Sequence, residues 1–241
     1  FTAWESIPRW IRVMTPAALE HMLPEDALPF DPQKWADFAR GNGTALGSDE
    51  SHLRHLPWDE NVAARWNQAW SEHFAPQLVG VWRDASYLKW RYVDHPRFTY
   101  VLRFAEDTHT GELEGLAVYR VEPVLDRTER IMRIVEFVGN EDAAGVLGAD
   151  LVKAGEAAGV AFADFHCTSA DVGGPMGKAG FVVDGTLPAR LPQKFQPLDR
   201  RRTELRGAFW VNPALVNAEA VSVGSADLYF TGADCDQDRP T

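Results

Sequence analysis

The sequence predicts a mixed α/β (α+β) fold: a twisted sheet, antiparallel in one part and parallel in another, with helices on both faces. Three apolar runs, Phe98–Ala105, Leu113–Val121 and Ile131–Val138, follow one another with no helix between them. Strands joined so directly pair antiparallel. A helix of small residues, Ala143–Ala158, then leads to a fourth run, Val160–Cys167, and a crossover of that length joins parallel strands. Both kinds of pairing in one chain fit a mixed sheet covered by helices.

Residues 1–14 alternate weakly between apolar and polar, as an edge strand would. Thr15-Pro16 starts and Pro24 stops a short helix over 16–22. From Pro24 to about residue 60 the chain is rich in Pro, Gly, Asp and Ser, with turn signals at Gly41-Asn42-Gly43 and Gly47-Ser48-Asp49. Trp35, Phe38 and Trp58 mark it as a wrapped connector. Val62, Trp66, Ala69 and Trp70 recur at helical spacing, which predicts a helix over roughly 59–74. Asp84 is the candidate N-cap of the next helix, which carries Tyr87, Leu88, Arg91 and Tyr92 and ends at Asp94-His95-Pro96. Asp107–Gly111 is the turn between the first two strands, and Gly159 closes the helix 143–158. Asp171–Ala179 reads as a short helix weakened by three glycines and Pro175, Gly180-Phe181 enters another strand, and Leu228–Thr231 supplies the last.

Of the 241 residues, 45% are hydrophobic and 24% charged, which excludes a disordered tail, a collagen-like repeat and a small disulfide scaffold. A formal net charge of −11 argues against a nucleic-acid partner. No apolar run approaches the ~18 residues of a membrane span, so no membrane partner is expected. Two cysteines, Cys167 and Cys235, make no disulfide framework and point to the reducing cytoplasm. The first residue is Phe1, no signal peptide is present, and Ile7–Val13 reads at once as a strand. We therefore expect an N-terminal part to precede this one.

The order helix, three strands, helix, strand, helix, strand, with Gly180-Phe181 after the last short helix, resembles the GNAT superfamily of acyl-coenzyme A-dependent N-acyltransferases. Tyr87–Pro96 is similar to the helix that opens the second half of tandem members, some of which acylate amino sugars. Phe1–Val13 resembles the strand that ends their first half, and Tyr229–Pro240 resembles a closing segment. The resemblance implies residues 1–80 as a terminal strand of a preceding half plus connector, and residues 81–241 as a GNAT-like domain. It also implies acyl-coenzyme A as co-substrate of the full-length enzyme and an amine acceptor such as an amino sugar. Trp90, Arg91, Asp234 and Asp236 are then the expected acceptor-binding residues, and a preceding half or another chain is the expected partner.

Two departures place the donor elsewhere. Members of the superfamily cradle the coenzyme A pyrophosphate on an Arg/Gln-x-x-Gly-x-Gly/Ala loop at a helix start. Here Gly139–Gly148 has no arginine, and Glu141 and Asp142 would repel a polyanion. Met176 stands where the usual acid is tyrosine, and a thioether cannot protonate a thiolate. We therefore expect no cofactor in this half, which is a degenerate half of the enzyme. A non-catalytic interaction or ligand-sensing domain is the alternative.

Parity along Ile131–Val138 puts Glu136 with Met132, Ile134 and Val138, and Arg133 on the other face. Glu136 is the candidate catalytic base, with a buried ion pair as the plainer account. Asp234-x-Asp236-x-Asp238 resembles the start of a calcium loop but lacks its Gly and Glu, so a capped turn or a sugar-contacting loop is expected and no metal. His166 and Cys167 point to opposite faces of a strand, which argues against a nucleophilic pair. Arg200-Arg201-Arg202 with Arg206 could hold a diphosphate, though a solvated loop is commoner. Trp58, Trp66, Trp70, Trp82 and Trp90 could line a sugar platform, with core packing the preferred reading.

Overall fold

The computed structural model describes residues 2–4, 6–24, 27, 29–41, 52–201, 205–209 and 228–234. The strands up to the first long hairpin are β1 (Thr2–Trp4), β2 (Arg9–Val13), β3 (Leu53–Pro57), β4 (Val79–Gly80) and β5 (Val101–Asp107). They are followed by β6 (Leu113–Pro123), β7 (Arg130–Gly139), β8 (Val160–His166) and β9 (Val182–Val183). Short strands β10 (Lys194–Phe195), β11 (Leu198–Asp199), β12 (Gly207–Phe209) and β13 (Leu228–Tyr229) come last. The helices are α1 (Pro32–Gly41), α2 (Glu60–Ala69), α3 (Ala85–Leu88), α4 (Glu141–Ala157) and α5 (Gly173–Lys178). Wider helical turns, Trp70–Phe74 and Lys89–Val93, extend α2 and α3.

Among the described residues, seven strands form one sheet in the order β3-β5-β6-β7-β8-β2-β9. As expected, β5, β6 and β7 pair antiparallel, and β7 pairs parallel with β8 across α4. Helices cover both faces. On one, Gly115 of β6 lets Ala143 and Leu147 of α4 approach the backbone, and on the other Trp66 of α2 packs edge-on against Phe104, 5.3 Å between centroids. Caps set the helix starts: Asp59, Asp84 and Asn140 accept from Val62, Tyr87 and Ala143 backbone N–H groups. Gly148 brings α4 against α5, since a Cβ there would lie 2.8 Å from the Ala179 Cα.

Three expectations need correction. Strand β2 is no edge: it lies between β8 and β9 and is antiparallel to both, so β9 pairs with β2 instead of with β8. A weakly alternating strand suits this place because its polar Arg9 meets Asp164 of β8 inside the protein. The connector carries α1, which buries Trp35, and β3, which pairs with β5 through all five residues. Strands from both sides of residue 80 thus share one sheet.

The third correction concerns Glu136. Register runs Arg120↔Arg133, Tyr119↔Ile134 and Val118↔Glu136, leaving Val135 as an extra residue. Partners across antiparallel strands share a face, and so do Val118 and Arg120, two residues apart. Glu136 therefore lies on the Arg133 face, away from α4. The bulge at Val135 reverses the parity that the sequence implies.

Candidate functional site

Strands β7 and β8 stay paired as far as Ile134 and Phe165, and then separate. Strand β7 runs on beside β6 to Gly139, while Cys167 beyond β8 bridges Thr231. Residues 228–234 form a strap in the gap. The Thr168 N–H donates to the Phe230 carbonyl (3.1 Å), and the Tyr229 hydroxyl accepts from the Phe137 N–H (3.1 Å). The same hydroxyl lies 3.1 Å from the Phe137 carbonyl and 3.0 Å from Glu136 Oε2. The strap thereby satisfies backbone groups that the parted strand would leave without partners.

Beneath the strap is a buried charge knot. Glu136 Oε1 accepts from Arg83 Nε and from the Tyr92 hydroxyl, each at 2.7 Å. Arg83 Nη2 also donates to Asp234, and Nη1 donates to the Val81 carbonyl (2.8 Å). The guanidinium stacks over the Tyr229 ring, 4.7 Å from its centroid. Trp66 Nε1 holds the Arg83 carbonyl at 2.7 Å, fixing the arginine from α2. Burial disfavours the Arg83 cation, but Glu136 and Asp234 outweigh it and hold its pKa well above the usual arginine value. Burial also lifts the Glu136 carboxyl, with Arg83 opposing the rise, and pushes Tyr92 and Tyr229 well up.

Beyond the ends of β7 and β8 the gap opens into a cleft of about 530 Å³. Crevices at the carboxyl ends of parallel strands are common ligand sites. Phe74, Leu78, Val138, Val172 and Pro175 make its apolar walls, with Tyr229 among the lining residues. Its ionisable side chains besides Tyr229 are His73, Glu114, Glu141 and Asp171; no Lys or Arg lines it among the described residues. Glu141 reaches across to the start of α5, where a Cβ added to Gly174 would lie 2.9 Å from its Oε1. The helix start that could have received an anion is already answered: Asn140 accepts the Ala143 N–H at 2.9 Å, and Glu141 and Asp142 occupy the first turn. These residues do not fit a pyrophosphate.

No protein-family model and no curated protein matches this sequence. Among solved structures, the fold is similar to Saccharomyces cerevisiae N-myristoyltransferase with bound myristoyl-CoA, at 9% identity and a TM-score of 0.44, covering 66% of this chain and 43% of that one. A probable N-acyltransferase from Enterococcus faecalis V583 gives 12% identity and a TM-score of 0.42, over 75% of this chain and 38% of the other. A conserved protein of unknown function from Staphylococcus epidermidis ATCC 12228 gives 12% identity and a TM-score of 0.40, over 74% and 58%. The chain spans less than half the length of the N-myristoyltransferase.

The expected site residues divide sharply. Glu136 and Asp234 are brought together through Arg83, and Arg91 reaches the Ala233 carbonyl (3.2 Å) beside them. None of the three lines the cleft. Glu136 is fully buried and accepts from three side chains, so it presents no oxygen to an acceptor and serves to position Arg83. Asp234 also accepts the Thr231 N–H at 2.9 Å, which makes the capped turn that was one of the two expectations there. Trp90 is 70% exposed and stands outside the cleft. Asp236, Asp238, Cys235 and Arg202 lie outside the described residues.

The remaining candidates resolve by burial. Met176 is wholly buried. Burial pushes the Cys167 thiol up to about 12, which leaves it unreactive. Arg201 turns to Asp199 at 2.7 Å, and Arg200 donates to the His21 carbonyl, neither near the cleft. Trp66 and Trp70 belong to the core, Trp58 packs against it, and Trp82 and Trp90 are exposed. No group of three metal-binding side chains and no helix able to cross a membrane occurs among the described residues. Arg83, Tyr92 and Tyr229 were missed as partners of Glu136. Their one sequence signal is an arginine directly before a helix cap, which is too common to single out.

Proposed function

We propose that this chain is the acceptor-holding part of a GNAT-type N-acyltransferase, with the acyl-coenzyme A donor bound by a preceding half or another chain. The observation that carries this reading is the cleft at the parted ends of β7 and β8, whose lining includes Glu114, Glu141 and Asp171 and no Lys or Arg among the described residues. Carboxylates there attract an ammonium group and repel a phosphorylated donor. The strand order, with three antiparallel strands, a helix and a parallel strand, agrees with the resemblance seen in the sequence. The donor supplies the acyl group. This chain's residues hold the amine against apolar walls, with the His73 imidazole among the lining groups.

Calorimetric titration of acetyl-coenzyme A into the chain tests this reading, with no saturable heat as the expected result. Micromolar binding would overturn it and make the cleft a donor site. A non-catalytic ligand-binding domain is the second reading. It is favoured by Tyr229, whose hydroxyl already occupies the Phe137 backbone groups between the parted strands.

A further inference from the structure

We infer that His166 is an acid-sensitive latch: taking up a proton, it releases the end of β8 and with it the strap that fills the gap beside the cleft. Strand β8 has its last partner on the β7 side at Phe165 and its last on the β2 side at His166 itself. Beyond that point its ties are to Pro8 and to the strap. Cys167 bridges Thr231, and its N–H donates to the Pro8 carbonyl at 3.1 Å. The Thr168 N–H donates to the Phe230 carbonyl (3.1 Å); its hydroxyl donates to the Leu228 carbonyl and accepts the Phe230 N–H (3.2 Å). Local opening starts where a ladder ends, and here it frees 166–169 and 228–231 together.

The groups around the His166 ring do not accommodate its cation. Arg9, its cross-strand partner, shares its face, and Arg133 acts on it from the β7 side. Asp164, the carboxylate beside it, is engaged twice by Arg9 and lies 3.6 Å from Arg133 Nε. Further out, Asp184 stands 3.8 Å from Arg9 Nη1 with Arg190 acting on it, and Glu122 lies 3.8 Å from Arg133 Nε. His166 is 5% exposed, and its Nε2 has no hydrogen-bond partner among the described residues. A proton there adds a third cation beside two guanidinium groups, with little water to solvate it. In the open strand the imidazole meets water and titrates near 6.5. Burial holds the closed form down at about 3, so the open population rises about 30-fold between pH 8 and pH 5. Opening takes the Tyr229 hydroxyl off the Phe137 backbone and alters the cleft wall, which Ser169 and Tyr229 help to line.

Amide hydrogen exchange of the full chain, followed by mass spectrometry at pH 8, 6.5 and 5 and corrected for the intrinsic rate at each pH, tests the latch. Peptides over 166–169 and 228–231 should exchange faster than those over β6 and β7 at every pH. Their protection should fall about twofold by pH 6.5 and about 30-fold by pH 5. His166→Gln should abolish this fall, whereas Asp184→Asn should keep it. Equal exchange of the strap and of β6 and β7 would overturn the inference, because the strap would then open only with the whole protein. Protection that does not change with pH, or a fall that survives His166→Gln, would overturn it too. Loss of the fall in Asp184→Asn would make that carboxylate the titrating group, with the same result. Should His166→Gln fail to fold, the comparison of strap with β6 and β7 in the unaltered chain still decides.

Discussion

Two buried charge clusters lie on the same face of the sheet, and they are finished differently. In the knot, Arg83 is held by Glu136, Asp234 and a backbone carbonyl, and both Glu136 oxygens accept hydrogen bonds. In the seam, Arg9 grips Asp164 through Nε (3.1 Å) and Nη2 (2.7 Å), and Arg133 lies 3.6 Å from the other oxygen. There, Asp164 Oδ1, His166 Nε2 and Asp184 Oδ1 have no hydrogen-bond partner among the described residues. A completed network fails when a member is removed, because its partners are left buried and unpaired. The seam adds His166, a buried imidazole whose pKa differs between the folded and unfolded protein and so makes stability depend on pH. The knot joins the strap to the sheet; the seam ties the inserted strand β2 to β8.

The largest effect should come from breaking the knot. Arg83→Met leaves Glu136 and Asp234 buried without their cation and should cost ~3–5 kcal/mol in urea unfolding. Adding Glu136→Gln should recover part of that loss in a double-mutant cycle; full additivity would mean that the two do not act together. Next comes the seam's response to acid. Burial pushes His166 down to about 3, so the folded protein keeps it neutral. The unfolded imidazole takes its proton near pH 6.5, so stability falls below that point by about 1.4 kcal/mol per pH unit, reaching about 2 kcal/mol at pH 5. His166→Gln should flatten the decline in urea midpoints between neutral pH and pH 5, whereas the knot variant should keep it.

A smaller loss, ~1–3 kcal/mol by thermal unfolding, is expected for Tyr229→Phe, which removes one hydroxyl from Phe137 and Glu136. A negligible change there would mean that water replaces the hydroxyl and the strap does not seal the strands. Smallest is Trp90→Ala. With 70% of the residue exposed, its unfolding free energy should move by no more than about 0.5 kcal/mol. A larger loss would give Trp90 a packing role that its exposure denies.

Much of the fold was legible because local rules suffice for it. Apolar runs separated by turn residues marked β5, β6 and β7, small residues marked α4, and Asp84 marked a helix start, whereas the Asp59 and Asn140 caps emerged only in the structure. Strand β3 was hidden because His55 and Pro57 dilute its pattern and pairing with β5 alone makes it a strand. The candidate site was half legible. Glu141 stood out as a carboxylate at a helix start, while Glu114 and Asp171 gained meaning only when β6 and the segment after β8 came to the same cleft.

From the sequence alone came the mixed sheet, the Asp84 helix cap and the acidic start of α4. The tertiary structure decided which face Glu136 occupies and what reaches it. One extra residue at Val135 reverses strand parity, and a bulge depends on the register of the neighbouring strand, which local composition does not specify. The same holds for the strap. Tyr229 meets Phe137 across 92 positions of sequence, and only the parting of β7 and β8 leaves backbone groups there for its hydroxyl to bind.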